Sequence, residues 1–269
     1  GLALGVTASG GAVGQGVVPY LCAMSLEQYG WQTTYVISAV VYFCIAFPIA
    51  FLIKESPLRE VARNNPEVEV RNFPLSEREV IIWISMAIIF CCNCMAVPIV
   101  HLVPLLTDNG RTLDEATTVL TLLMFSGAFG RIVGGKLGDT IGALPGYILM
   151  SAGQTVSVLW FPYFHSDLSL YLLAIVFGFT YSGVMSSILV CTRNMVSARY
   201  SGRAMSITSF FGWIGMGTGG VVGGLLFDAT GNYDYSFTYA AGVGVINLII
   251  LGLFFMRIKT QGALKPAIA

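Results

Sequence analysis

The sequence predicts an all-α membrane protein, and three observations predict it. Apolar runs long enough to cross about 30 Å of hydrocarbon, roughly 17 to 25 residues each, recur eight times along the chain. Charged residues make up only 10% of its 269 positions, against about 25% in soluble domains. If the runs alternate direction, 13 of the 14 Lys and Arg residues fall on one side, as the positive-inside rule requires of the cytosolic face.

The runs lie at 1–24, 31–53, 80–106, 113–136, 141–164, 168–191, 204–227 and 235–256. Between the second and third stands the long polar connector "KESPLREVARNNPEVEVRNFPLSERE", 54–79, which is proline-punctuated and mixed in charge. It reads as a solvated linker between two bundles. The charge count puts this linker and the C-terminus in the cytosol and leaves only Arg111 outside. Glu27, Asp108, Asp114, Glu115, Asp167, Asp228 and Asp234 fall in the short outer loops. No carboxylate falls mid-membrane, where it would mark a proton relay.

Several classes of function drop out at this stage. Net charge is zero and no Lys/Arg-rich run is present, so a nucleic-acid partner has no electrostatic footprint. Six cysteines lie within apolar stretches and read as small buried hydrophobes rather than a disulfide framework. Of the cluster Cys91, Cys92 and Cys94, only the first and last share a helical face, with no His or carboxylate within a turn, so packing outweighs metal binding. No set of nucleophile, base and orienter is present, so an enzyme is not expected, nor is a cofactor.

An internal repeat sharpens the architecture. "GLALGVTASGG" at Gly1 echoes "GRAMSITSFFG" at Gly202, 201 residues later. Each copy leads through a glycine-rich span to an acidic turn and an aromatic helix start, "EQYGWQTTY" in one and "DATGNYDYSFTY" in the other. A period of six equally oriented spans is a parallel repeat about an axis along the membrane normal. The eight spans are then the last two of one half and all of the next. With no starting methionine, the chain is expected to be a fragment that lacks four leading helices.

On these features the chain resembles the major facilitator superfamily, whose members have twelve spans in two six-helix halves joined by a cytosolic linker. "GGKLGDTIGA" is similar to that family's cytosolic loop signature at Gly135, Leu137, Gly138, Asp139 and Gly142. It departs at Thr140 and Ala143, where basic residues are usual. "GLALGVTASGGAVGQGVVPYL", "HLVPLLTDNG" and "FGRIVGGKLGD" resemble more narrowly the monocarboxylate and oxalate/formate branch. The resemblance implies a division into 1–53, two helices of the N-terminal half; 54–79, cytosolic linker; 80–257, the six-helix C-terminal half; and 258–269, cytosolic tail. It also implies a multi-pass protein of the plasma or bacterial inner membrane. Such a protein acts as a monomer and moves a small organic solute, a monocarboxylate or related anion, by alternating access with H+ or a counter-anion. An uncharged or drug-like solute, a channel and a non-transporting sensor stand as the alternatives.

Candidate residues follow. Arg131 lies about five residues, roughly 7 to 8 Å, inside Lys136. A charge at that depth either snorkels, pairs structurally, or faces a cavity where it holds a carboxylate bidentately. The resembled branch carries its anion-binding arginine at the matching place. Its oxalate exchangers also carry a lysine in the penultimate span; "SITSFFGWIGMGTGG" has no cation, which favours a monoanion. Asn93, Gln15, Tyr181, Ser209 and Trp213 are further candidates to line the cavity. His101, between Pro98 and Pro104, is either a packing residue or the coupling group. Gly135, Asp139, Gly142 and Arg203 form a candidate cytosolic gate, with Asp139 latching to Arg203 and the free N–H groups of the seventh span, or merely capping a helix. Glycines four apart, Gly10/Gly14, Gly130/Gly134, Gly134/Gly138, Gly215/Gly219, Gly219/Gly223 and Gly220/Gly224, are expected to bring backbones into contact.

Overall fold

The computed structural model describes residues 1–52 and 73–264. Most of the 54–79 linker, and residues 265–269 of the tail, lie outside the described residues. The described residues form seven α-helices and one 3-10 turn: α1 Leu2–Leu52, α2 Glu77–Asp108, α3 Leu113–Thr140, α4 Ala143–Val158, the turn Phe161–Tyr163, α5 Asp167–Met195, α6 Ala198–Thr230 and α7 Asp234–Leu264.

Helix α1 is a hairpin of two arms broken at Gly30, whose φ of 72° and ψ of 168° belong to a region essentially reserved for glycine. The arms return side by side. Thr34 Oγ1 donates to Ser25 Oγ at 3.1 Å, and the Cys22 thiol lies 3.4 Å from Ser38 Oγ. The other helices begin where the chain offers a cap. Ser76 Oγ accepts from Glu79 N at 3.2 Å, Thr112 and Glu115 form a reciprocal capping box, and Ser166 Oγ accepts from Ser169 N. Gly231, at φ 74°, closes α6.

Among the described residues, six helical segments are long and apolar enough to cross a membrane: Gln28–Leu52, α2, α3, α5, α6 and Asp234–Gly262. The first arm of α1, apolar over Leu2–Val18, and α4, with 16 residues, are shorter. Helices α2, α6 and α7 also run past the apolar limits read from sequence: Ser76 caps α2 in a polar flanking segment, α6 starts after Ser197, whose hydroxyl donates to Glu77 instead of capping, and α7 continues to Leu264.

The core lies where α3 packs on α5, α2 on α6 and α7, and α4 on α5. Phe161 meets Phe177 edge-on at 5.5 Å and Phe237 at 5.9 Å, which packs one end of the bundle. The α3–α5 contact is backbone to backbone. A Cβ at Gly130 would collide with the carbonyl of Phe179, and one at Gly134 with that of Gly183. Ser186 Oγ donates to the Arg131 carbonyl at 2.7 Å across the same seam. Gly138 meets Val190, and Gly215, Gly219 and Gly223 lie against α2 in the same manner. Gly10 and Gly14 do not: a Cβ at either would meet nothing within 4 Å, so this pair makes none of the contact its spacing predicts.

The second arm of α1 is the opposite of the core, with Tyr35, Tyr42 and Phe51 about three-quarters exposed. Such a surface suits lipid or further helices. Cys91, Cys92, Cys94 and Cys191 are buried as expected, whereas Cys44 is exposed on this arm and Cys22 half-buried against Ser38. Outside the bundle, Arg111, the one basic residue assigned to the outer face, is held by Asp167 at 2.5 Å and by the His165 carbonyl.

Candidate functional site

Arg131 sits on α3 one turn from the glycines that press α3 onto α5. Its backbone is fixed by Ser186, and its side chain leaves on the opposite face, toward α1. The side chain is only 8% exposed, so it does not snorkel to the surface. Nη1 donates to the carbonyl of Ala8 at 2.5 Å and Nη2 to Oε1 of Gln15 at 3.0 Å. Gly11, between them, leaves room for the guanidinium, since a Cβ there would stand 2.7 Å from Nη1. Nε is buried with no hydrogen-bond partner.

Tyr181 comes in from α5. Its hydroxyl reaches Gln15 Oε1 at 3.5 Å and Met124 Sδ at 3.3 Å. Arg131, Gln15 and Tyr181, distant in sequence and carried by three helices, thus converge on one oxygen. Beside them opens a cleft of about 520 Å³ lined by Gly11, Gly14, Gln15, Val18, Ile99, Leu120 and Met124. Gln15 is its one polar side chain; the rest of the lining is apolar or glycine.

Electrostatically the site is unbalanced. Among the described residues no carboxylate pairs with Arg131, whose partners are neutral oxygens. A buried cation without a counter-charge costs several kcal/mol. A carboxylate delivered to the two Nη atoms would supply that charge and two strong hydrogen bonds.

The other predicted residues fall elsewhere. Asn93 donates from Nδ2 to Thr218 Oγ1 at 3.0 Å, in the α2–α6 seam. His101 lies in that seam too, 8% exposed, with Nε2 2.9 Å from the Gly220 carbonyl and its ring beside Tyr233. A carbonyl only accepts, so Nε2 carries the proton. The seam contacts of Asn93 and His101 explain why neither reaches the cleft. Ser209 and Trp213 are exposed on the outer face of α6, Trp213 by 73%. In the turn between α6 and α7, Tyr233 stacks on Phe227, and burial together with Asp108 and Asp228 pushes its phenol above the ordinary value.

The gate residues need one correction. Asp139 does not meet Arg203 or the start of α6. It accepts from Leu2 N at 2.8 Å and lies 2.7 Å from the nitrogen of Gly1, at the start of α1. Gly135 permits this approach, since a Cβ there would stand 2.6 Å from the Gly1 carbonyl. The reason is the repeat itself: α1 and α6 open on copies of one pattern, and α3 packs on α1. Arg203 is exposed in the first turns of α6. Gly142, at φ 99°, turns the chain from α3 into α4.

Sequence reasoning missed the Ala8 carbonyl, which has no signature in residue type. It missed Gly11, Val18, Ile99, Leu120 and Met124 as well, because apolar residues in a membrane helix look alike whether they face lipid, core or cleft.

A bundle of apolar helices, six of them long enough to cross a membrane among the described residues, with a buried cation beside a cleft, has the features of a polytopic membrane protein. Comparison with known proteins makes this specific. The family model described as Major Facilitator Superfamily matches residues 82–268, and the chain belongs to that superfamily, whose members are transporters rather than enzymes. Monocarboxylate transporter 13 of Rattus norvegicus is 31% identical over 170 residues, which cover 61% of this chain and 39% of that protein. YcxA of Bacillus subtilis (strain 168), an uncharacterized transporter of the same type, is 24% identical over 250 residues, 87% of this chain and 59% of that protein. The fosmidomycin resistance protein of Escherichia coli (strain K12) is 26% identical over 245 residues, 86% of this chain and 57% of that protein. The chain therefore spans between about two fifths and three fifths of the length of these relatives.

Proposed function

We propose that the chain supplies the last eight of twelve spans of a secondary transporter, with the linker and C-terminus in the cytosol. In this reading 1–53 closes the first half, 54–79 is the linker, 80–257 is the second half and 258–269 the tail. The transporter moves a monocarboxylate by rocking the halves about the cleft between α1 and α3. Its carboxylate sits on Arg131, and its apolar body lies against Val18, Ile99, Leu120 and Met124. Coupling is to H+ or to a counter-anion.

One observation carries this reading: the Arg131 guanidinium is buried beside the cleft with neutral partners. The likeness to a monocarboxylate transporter supports it. Uptake of a radiolabelled monocarboxylate panel into liposomes bearing the full-length protein is the test. Arg131→Ala should lower uptake about 10- to 100-fold, the value of charge-assisted hydrogen bonds, while folded yield is kept. Arg131→Lys, which keeps the charge but loses the fork, should fall between. Undiminished carboxylate uptake by Arg131→Ala would overturn the anion role. The apolar lining and the likeness to a resistance protein favour, as second reading, a drug-like solute. That solute's uptake would survive Arg131→Ala.

A further inference from the structure

The acceptors on Arg131 have a second meaning, which rests on the anion role just proposed. A carboxylate bound bidentately offers one oxygen to each Nη of a guanidinium. Helix α1 already does so: the Ala8 carbonyl takes Nη1 and Gln15 Oε1 takes Nη2. Tyr181, the second donor of the site, points at that same Gln15 oxygen. Gln15 borders the cleft and is exposed to it, so its amide can swing away without unfolding anything. Ala8, as backbone, yields only if the helix shifts.

We infer that α1 is an internal pseudo-substrate, with Gln15 Oε1 and the Ala8 carbonyl occupying the two oxygen positions that a solute carboxylate takes over. Displacement is favoured because an anion bonds the guanidinium more strongly than a neutral amide does. It also carries a consequence for movement. Solute binding dissolves the hydrogen bonds that clasp α1 to α3, and the empty site restores them. Gln15 is therefore a positioning residue that sets apparent affinity, and the clasp ties occupancy of the site to the contact between the helices.

A competitor lowers apparent affinity by the fraction of sites it occupies. Propionate, one carboxylate on a short apolar body, is the probe, with KM and kcat for uptake measured separately in the full-length protein. Gln15→Ala and the near-isosteric Gln15→Met remove the acceptor and should each lower KM about tenfold, as expected if nine sites in ten are internally occupied. Gln15→Glu places a true carboxylate on the guanidinium and should abolish uptake at neutral pH with the protein still folded. The charged and titratable groups whose contacts reach position 15 are Arg131 on α3 and Tyr181 on α5. An unchanged or raised KM in both Gln15→Ala and Gln15→Met, or wild-type uptake by Gln15→Glu, would overturn the pseudo-substrate. Arg131→Ala separates the two ideas. If it loses carboxylate uptake while the Gln15 variants behave like wild type, the anion site stands and the pseudo-substrate falls.

Discussion

Helices α1 and α6 begin with copies of one glycine-rich pattern, and each lies along an inner helix, but the two contacts are made differently. Helix α6 meets α2 through Gly215 and Gly219, backbone against backbone, and through Gly212 and Gly223, which lie against the side chains of Ile88 and His101. The polar groups caught there are paired locally, Asn93 Nδ2 with Thr218 and His101 with the Gly220 carbonyl. Helix α1 meets α3 through Gly1, Gly5 and Gly11, and there its neighbours include an arginine and an aspartate. Gly10 and Gly14 stand free of contact. One pattern thus builds a seam whose side chains bond within it in one place and, in the other, backbone contact at Gly1 and Gly5 joined to a polar clasp beside a cleft. Close packing without mobile side chains resists displacement, whereas hydrogen bonds to a long arginine can be exchanged for others. The clasp is where a conformational change costs least.

If that contrast holds, the largest effect belongs to the α2–α6 seam. A Cβ at Gly219 would stand 2.5 Å from the Asn93 carbonyl and 2.8 Å from Ala96 Cβ, and neither atom can move without its helix. Gly219→Ala should cost about 1–3 kcal/mol by overpacking, seen as a lower unfolding temperature in detergent. An unchanged temperature would mean that the seam is as yielding as the clasp, and the comparison would break. At Gly11 the obstacle is the tip of a flexible side chain, Arg131 Nη1 at 2.7 Å. Gly11→Ala should therefore leave the unfolding temperature nearly unchanged while it dislodges the bond to Ala8.

Much of this was legible in the sequence. Spans of apolar residues announced the helices and their order, because lipid forces backbone hydrogen bonds inside each segment. Arg131, Gln15 and Tyr181 were readable as candidates, since polar side chains are conspicuous in apolar runs. What could not be read was which helix each would face. Asn93 looked equivalent to Gln15 and faces α6, as does His101, which the sequence presents as a packing residue or a coupling group. Asp139 was expected at the start of α6, whereas in this structure it accepts from Leu2 N on the sister copy, a partner that the repeat made equally available. Rotation of a helix about its axis is set by packing that a single sequence of mostly apolar residues barely encodes.

Asp139 comes next in size. It anchors the far end of the clasp through Leu2 N, one turn from Lys136. Asp139→Asn keeps an acceptor but loses the carboxylate charge that strengthens the hydrogen bond. Turnover should fall several-fold with KM little changed, because the contact is remote from the Arg131 donors. An equal change in KM would place Asp139 within the solute site instead, and unaltered kinetics would remove it from the moving parts.

The smallest effect should come from Gly10→Ala. The added methyl meets nothing within 4 Å, and alanine is favoured over glycine within a helix by up to about 1 kcal/mol. Stability and uptake should be unchanged or slightly improved, in contrast to Gly219→Ala on the sister helix. A severe loss of uptake with normal folding would show that the open face of α1 is contacted during the cycle by a helix beyond the described residues. The clasp would then be only one side of what holds α1, and the freedom assigned to that helix would have to be shared with a contact on its other face.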